Sequence, residues 1–138
     1  MPGSLSSRSS VIFDLDNDGD LDIVTLEFND RPQVLISNLT ERKRVHWLGL
    51  QLIGVRSNRD GLGATVKLHA ANRSWTQYHD GKSGHLGQSS MPLYFGLGEA
   101  DKIDSLEVLW PSRNKQIIKS PPTNRLLKVT EATDKERL

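Results

Sequence analysis

Val11-Ile12-Phe13-Asp14-Leu15-Asp16-Asn17-Asp18-Gly19-Asp20-Leu21-Asp22-Ile23-Val24-Thr25-Leu26-Glu27-Phe28 places five aspartates between two short apolar runs. Like charges this close repel one another, even in a watery loop. A hard cation with oxygen ligands removes that repulsion, and Ca²⁺ is the ion that suits flexible carboxylate-rich loops. Asp14, Asp16 and Asp18 stand at alternate positions 1, 3 and 5, on the inside of a loop that curls about one point. Gly19 allows the sharp turn that follows. The backbone carbonyl of Asp20 is the next ligand, its side chain directed outward, and Asp22 at position 9 closes the site. The expected metal set is therefore Asp14, Asp16, Asp18, Asp20 and Asp22, with Ca²⁺ as the cofactor. Mg²⁺ fits less well, because it demands a rigid octahedron and keeps its waters. A solvated acidic turn is the plain alternative, since Asp, Asn and Gly all favour turns. It does not account for five aspartates in this spacing.

The same stretch decides the fold class. Its start matches an EF-hand loop, but the twelfth position is Thr25 rather than a bidentate Glu. The flanks also read as strands rather than helices. Val11 to Phe13 and Leu21 to Phe28 become two strands joined by a calcium loop. Gln33 to Ser37 follows as a third, after the turn Asn29-Asp30-Arg31-Pro32.

Beyond it the period stays near two. Runs with strand character are His46 to Ile53, Ala64 to Ala70, Arg73 to His79, Leu93 to Leu97, Ile103 to Trp110, Lys115 to Lys119 and Leu126 to Val129. Ala71-Asn72 is a tight turn between two of them, a hairpin pattern. The count is about ten short strands with regular turn signals, which predicts an all-β chain, a β-sandwich or open barrel with an N-terminal calcium-loop hairpin. The one helix-friendly segment is the charged tail from Glu131 to Leu138. The expected organisation is a flexible leader at 1–10, the calcium-loop repeat at 11–40, a β domain at 45–131 and a polar tail at 132–138. The polar stretch Asn38 to Arg44 is the boundary.

Composition narrows the function classes. At 36% hydrophobic and 25% charged residues, the 138-residue chain has an ordinary globular make-up. It contains no cysteine, which excludes disulfides, thiolate metal sites and thiol catalysis. No apolar run reaches the length of a membrane span. Residues 1–10 lack the apolar core of a signal peptide. Residues 1–30 carry one arginine against seven acids, and the remainder carries 17 basic residues against 10 acidic ones. The basic cluster Arg42-Lys43-Arg44 has no aromatic platform beside it, so nucleic acid is not an expected partner.

Catalytic signals are thin. Ser83 lies in Gly81-Lys82-Ser83-Gly84-His85, which is not the Gly-x-Ser-x-Gly elbow of hydrolases. His79, Asp80, Ser83 and His85 are close in sequence only, and proximity of that kind is not triad geometry. His46, His69, His79 and His85 show no zinc spacing. Trp47, Trp75 and Trp110 offer a sugar-stacking face, against the commoner reading of core packing. The long Gly/Ser-rich loop Asp80 to Ser90, together with Asp60 to Gly63, is the candidate ligand-facing surface, with Asp60, Ser83, His85 and Gln88 as its polar residues.

These residues carry two resemblances. Residues 11–38, centred on Phe13 to Ile23, resemble a single FG-GAP/VCBS repeat, a β-propeller blade with a calcium loop. Residues 46–131 look like an ASPIC/UnbV domain. The matching pieces are His46-Trp47-Leu48-Gly49, Ser57-Asn58-Arg59-Asp60-Gly61-Leu62-Gly63-Ala64, Ser83-Gly84-His85-Leu86-Gly87-Gln88-Ser89, Tyr94-Phe95-Gly96-Leu97-Gly98 and Val108-Leu109-Trp110-Pro111-Ser112. The resemblance is to the cartilage acidic protein family, and it implies an extracellular or exported setting. A single repeat cannot close a propeller, so it would pack on the following domain or pair with a second copy. The expected function is non-enzymatic: a calcium-binding β domain in binding or adhesion, with a protein or glycan ligand and homodimerisation through a strand edge. The alternatives are a carbohydrate-binding module with structural calcium and a hydrolase.

Overall fold

The computed structural model describes residues 7–82, 87–89 and 91–133. Ten strands and one helical turn make up its elements, so the described chain is nearly all β. It divides into two compact units. Unit 1 is Met1–Lys43 with Gly81–Met91, and unit 2 is Arg44–Asp80 with Pro92–Leu138. The boundary thus falls after Lys43, and the loop that begins at Gly81 groups with unit 1.

Unit 1 contains β1 (Ser7–Phe13), β2 (Asp22–Glu27) and β3 (Gln33–Leu35) in one antiparallel meander. Val11 pairs with Val24 and Val24 with Val34, so apolar residues line up across the three strands. Ser7 to Ser10, read from sequence as leader, belong to β1. Cross-strand pairing overrides their weak pattern: Ser9 faces Leu26, Ser10 faces Thr25, and Ser7 Oγ donates to Glu27 at 2.8 Å. Arg8 also lies 4.8 Å above the Phe28 ring. A second difference is α1 (Leu39–Arg42), a single turn where the sequence suggests only polar linker. The buried described residues of unit 1 are acids, namely Asp20, Asp22 and Glu27, while Ile12, Leu26, Phe28, Val34, Leu35 and Ile36 are each about half exposed. Unit 1 therefore has no apolar core among its described residues.

Unit 2 holds the core. Its strands are β4 (His46–Ile53), β5 (Thr65–Ala70), β6 (Arg73–Tyr78), β7 (Leu93–Gly98), β8 (Ser105–Leu109), β9 (Lys115–Lys119) and β10 (Leu126–Thr130). They form a three-stranded sheet, β10-β4-β7, and a four-stranded sheet, β6-β5-β8-β9. No barrel closes among the described strands, and the arrangement is that of a β-sandwich. β5 and β6 form the expected hairpin, turning at Ala71 and Asn72, both with positive φ, as two-residue hairpin turns of the tightest kind require. Alternation sends Leu48, Leu50, Leu52, Phe95, Leu97 and Val129 from one sheet, and Val66, Leu68, Leu106 and Val108 from the other, into one buried cluster with Ile103 and Trp110. Burial of this kind contributes roughly 1.5–3 kcal/mol for each large apolar side chain.

Two local features close the sandwich. β10 runs parallel to β4, and the Glu131 N–H continues that ladder to the Ile53 carbonyl at 2.8 Å. The Glu131 side chain then turns inward, 1% exposed, although the sequence suggests the start of a helical tail there. Its Oε2 accepts the amides of Val55, Arg56 and Ser57 at 2.8–2.9 Å, and its Oε1 accepts the hydroxyls of Ser57 and Ser112. The loop that supplies those amides folds so tightly that a Cβ on Gly54 would lie 2.0 Å from the Asn58 carbonyl oxygen. No helix among the described residues is long and apolar enough to cross a membrane.

Candidate metal centre

The end of β1 and the start of β2 hold the two ends of the acidic loop one strand spacing apart, with Phe13 opposite Asp22. Asp22 locks that closure. Its Oδ2 accepts the Leu15 amide and its Oδ1 the Ser37 amide, both at 2.8 Å, and it is 1% exposed. Between the ends, Asn17 and Gly19 adopt positive φ and curl the chain. Asp16 Oδ1 accepts the Asp18 amide at 3.3 Å, and Asp18 Oδ1 accepts the Asp20 amide at 3.0 Å. The outcome is that one carboxylate oxygen from each of Asp14, Asp16 and Asp18 lies within 4.8 Å of the others.

That cluster fits a hard cation. Oxygens at 2.3–2.6 Å from a common Ca²⁺ fall at mutual distances of about this size. Asp14 Oδ2 accepts the Gly19 amide at 3.2 Å, whereas its Oδ1 is buried with no hydrogen-bond partner. Burial pushes the Asp14 carboxyl above its ordinary range, and amides of Gly19, Asn17 and Asp18 only partly oppose this. A buried carboxylate oxygen without a partner is costly unless a proton or cation supplies one.

Asp20 departs from the expected arrangement. Its side chain does not point outward: it is 4% exposed, with Oδ2 accepting the Thr40 amide at 3.0 Å and Oδ1 lacking a partner. Burial alone would raise its pKa. The Thr40 amide, the Ser37 and Thr40 hydroxyls and the Leu39 amide outweigh burial and hold it below the usual carboxylate value. The reason lies outside the loop, because Ser37 and the first two residues of α1 bring these groups to Asp20. Asp22 also stands apart from the close group of three, engaged by two amides, with a second lone pair free on each oxygen.

The other candidate residues fall elsewhere. Asp60 is exposed in unit 2, and its carbonyl meets buried His79 Nε2 at 3.0 Å. Gln88 is exposed in unit 1, bridged to Lys82. Ser83 and His85 lie outside the described residues. Trp110 is 1% exposed in the core and offers no sugar platform, and Trp75 is partly buried against that core. Trp47 has a ring partner among the described residues, Tyr94, at 5.9 Å between centroids. Sequence reasoning missed Thr40 and Glu131. Nothing in the local pattern marks either, because the partners of Thr40 are about 20 residues away and the amides that hold Glu131 about 75.

A two-sheet β-sandwich and a strand–acidic-loop–strand unit carried on one chain define the class of protein. The chain belongs to the family described as ASPIC and UnbV, whose pattern matches residues 54–136. The match begins at Gly54, later than residue 46 suggested by the sequence pieces, and spans both Glu131 and the amides that hold it. No curated protein matches the chain.

Proposed function

We propose that unit 1 is a calcium-binding module of the FG-GAP/VCBS type, and that the protein acts in binding or adhesion without catalysing a reaction. The observation that carries this reading is the convergence of one oxygen each from Asp14, Asp16 and Asp18 within 4.8 Å of one another, together with a buried Asp14 Oδ1 that has no partner. The three-stranded meander with the acidic loop in its first connection supports the repeat assignment. An exported setting suits a loop of this kind, because extracellular calcium modules work at 10⁻⁴–10⁻³ M, about the level of the ion there. Half-exposed apolar residues on β1–β3 support a protein partner, a second copy included.

Calcium stabilises by mass action, about 2.7 kcal/mol at a hundred times its Kd. The test is thermal unfolding of unit 1 in calcium against chelator. The wild type melts higher in calcium, and Asp16→Ala or Asp18→Ala abolishes the difference. A wild-type curve unmoved by millimolar calcium defeats the reading.

A carbohydrate-binding role is favoured by one observation, the Trp47–Tyr94 pair. The position of a Cβ on Gly96, which pairs with Trp47, has nothing within 4 Å. A glycan array that stays silent removes this second reading and leaves the first.

A further inference from the structure

The acidic loop is tied to the segment by which the chain leaves unit 1. Thr40 Oγ1 lies 2.9 Å from Asp18 Oδ2 and 3.2 Å from Asp20 Oδ2, so one hydroxyl proton is shared between two carboxylates. The Thr40 amide donates to Asp20 Oδ2 at 3.0 Å, and the Ser37 amide donates to Asp22 Oδ1 at 2.8 Å. Thr40 is the second residue of α1, which is four residues long and buries none of them. A single turn of this length does not hold itself together in water. Its Lys43 amide bonds the Leu39 carbonyl at 2.9 Å, and Glu41 to Arg44 are exposed. What fixes the turn is therefore the pair of carboxylates beneath it. Those carboxylates in turn repel one another and Asp14 and Asp16 unless positive charge sits among them.

We propose that Thr40 is a positioning residue that couples ion occupancy of the acidic loop to the order of the Leu39–Lys43 turn. With the ion bound, Asp18 and Asp20 stay in place and the exit from unit 1 is fixed. Without it, the carboxylates separate, the shared hydroxyl bond is lost and the turn frays. Coupling of this kind is reciprocal, so the ordered turn also strengthens ion binding. The inference rests on the calcium reading above.

Lys43 is the first lysine of the chain, so a lysine-specific endoprotease that needs no calcium reports on this turn through one product, residues 1–43. Cleavage is timed in calcium and in chelator on the full chain, and calcium binding is measured separately by calorimetry. Wild type is expected to be cut about tenfold more slowly with calcium, the scale of a local opening set by one or two charge-assisted bonds. Thr40→Val keeps the amide bond and loses the hydroxyl, and its protection falls to about twofold. Thr40→Ser restores it. Loss of calcium binding in Thr40→Val with retention in Thr40→Ser is the same coupling seen from the ion's side. Full protection in a calcium-binding Thr40→Val overturns the inference, as does calcium binding by wild type without any protection. Wild type that binds no calcium overturns the calcium reading itself, and the inference with it.

Discussion

Glu131→Gln isolates what one buried charge does for unit 2. The carboxylate accepts three backbone amides and two serine hydroxyls at 1% exposure. Burial pushes its pKa up, but the Ser112 hydroxyl and the amides of Ser57, Val55 and Arg56 outweigh burial and bring it from 4.5 to about 2. At about 1.4 kcal/mol for each pH unit, that difference is worth roughly 3 kcal/mol of stability. The sign follows from the direction. A carboxyl with a depressed folded pKa stabilises above its unfolded pKa. That contribution is present in full above about pH 4.5 and is lost as the pH falls toward about 2.

Glutamine keeps the shape and removes the charge. Its oxygen can still face the three amides while its NH₂ faces the two hydroxyl oxygens, so the fold survives. All three tryptophans lie in unit 2, so urea unfolding followed by tryptophan fluorescence reads this unit alone. At pH 7 the variant is expected to be less stable than wild type by roughly 2–3 kcal/mol. By pH 2.5 the gap should shrink below about 1 kcal/mol, because wild type is then losing its charge too. A gap that stays constant across this range refutes the argument, since it would mean that shape rather than charge is at stake.

Three further outcomes follow from the packing. Gly54→Ala sets a Cβ 2.0 Å from the Asn58 carbonyl oxygen, and the loop that cradles Glu131 must shift, so the unit 2 melting temperature falls by about 10 °C or more. Leu106→Ala, at a fully buried position of β8, costs about 2–5 kcal/mol by the same fluorescence assay, with the size set by how far the core closes over the cavity. Asp20→Asn removes one of the buried carboxylate charges while leaving Oδ1 as an acceptor; chelator then destabilises unit 1 less than it does in wild type, as a melting difference between the two conditions measures.

The strands of unit 2 were legible because burial on one face writes a period of two into residues such as Val66, Leu68, Leu106 and Val108. The ends of the chain were not. Ser7 to Ser10 carry no apolar pattern, and only pairing with Leu26 and Thr25 makes them a strand. Among the acidic residues, the Asp14, Asp16 and Asp18 cluster was legible from spacing, because a curled loop turns alternate residues to one side. The inward turn of Asp20 was not, because it depends on Thr40 and α1 arriving from 20 residues on. Glu131 was the least legible of all: a single acid in a polar tail, made structural by amides about 75 residues earlier in the chain.

The buried carboxylates fall into two sets: Glu131, Asp22 and Glu27 meet protein donors at both oxygens, whereas Asp14 and Asp20 do not. Unit 2 buries Glu131 with an acceptor-to-donor match that leaves no oxygen idle, and the acid needs nothing further. Unit 1 buries Asp20 and part of Asp14, yet each keeps an oxygen without a partner, although backbone amides are present throughout the same loop. A sequence that supplies five donors to Glu131 does not lack the means to satisfy a carboxylate. On the proposed calcium reading, the unpartnered oxygens are positions kept free of protein donors for a cation held by oxygen. If both loops served stability alone, replacing Asp14 by asparagine would be as harmful in chelator as Glu131→Gln is at pH 7. The ion-based account expects Asp14→Asn to be nearly neutral in chelator and harmful only in calcium, and paired melting curves decide between the two.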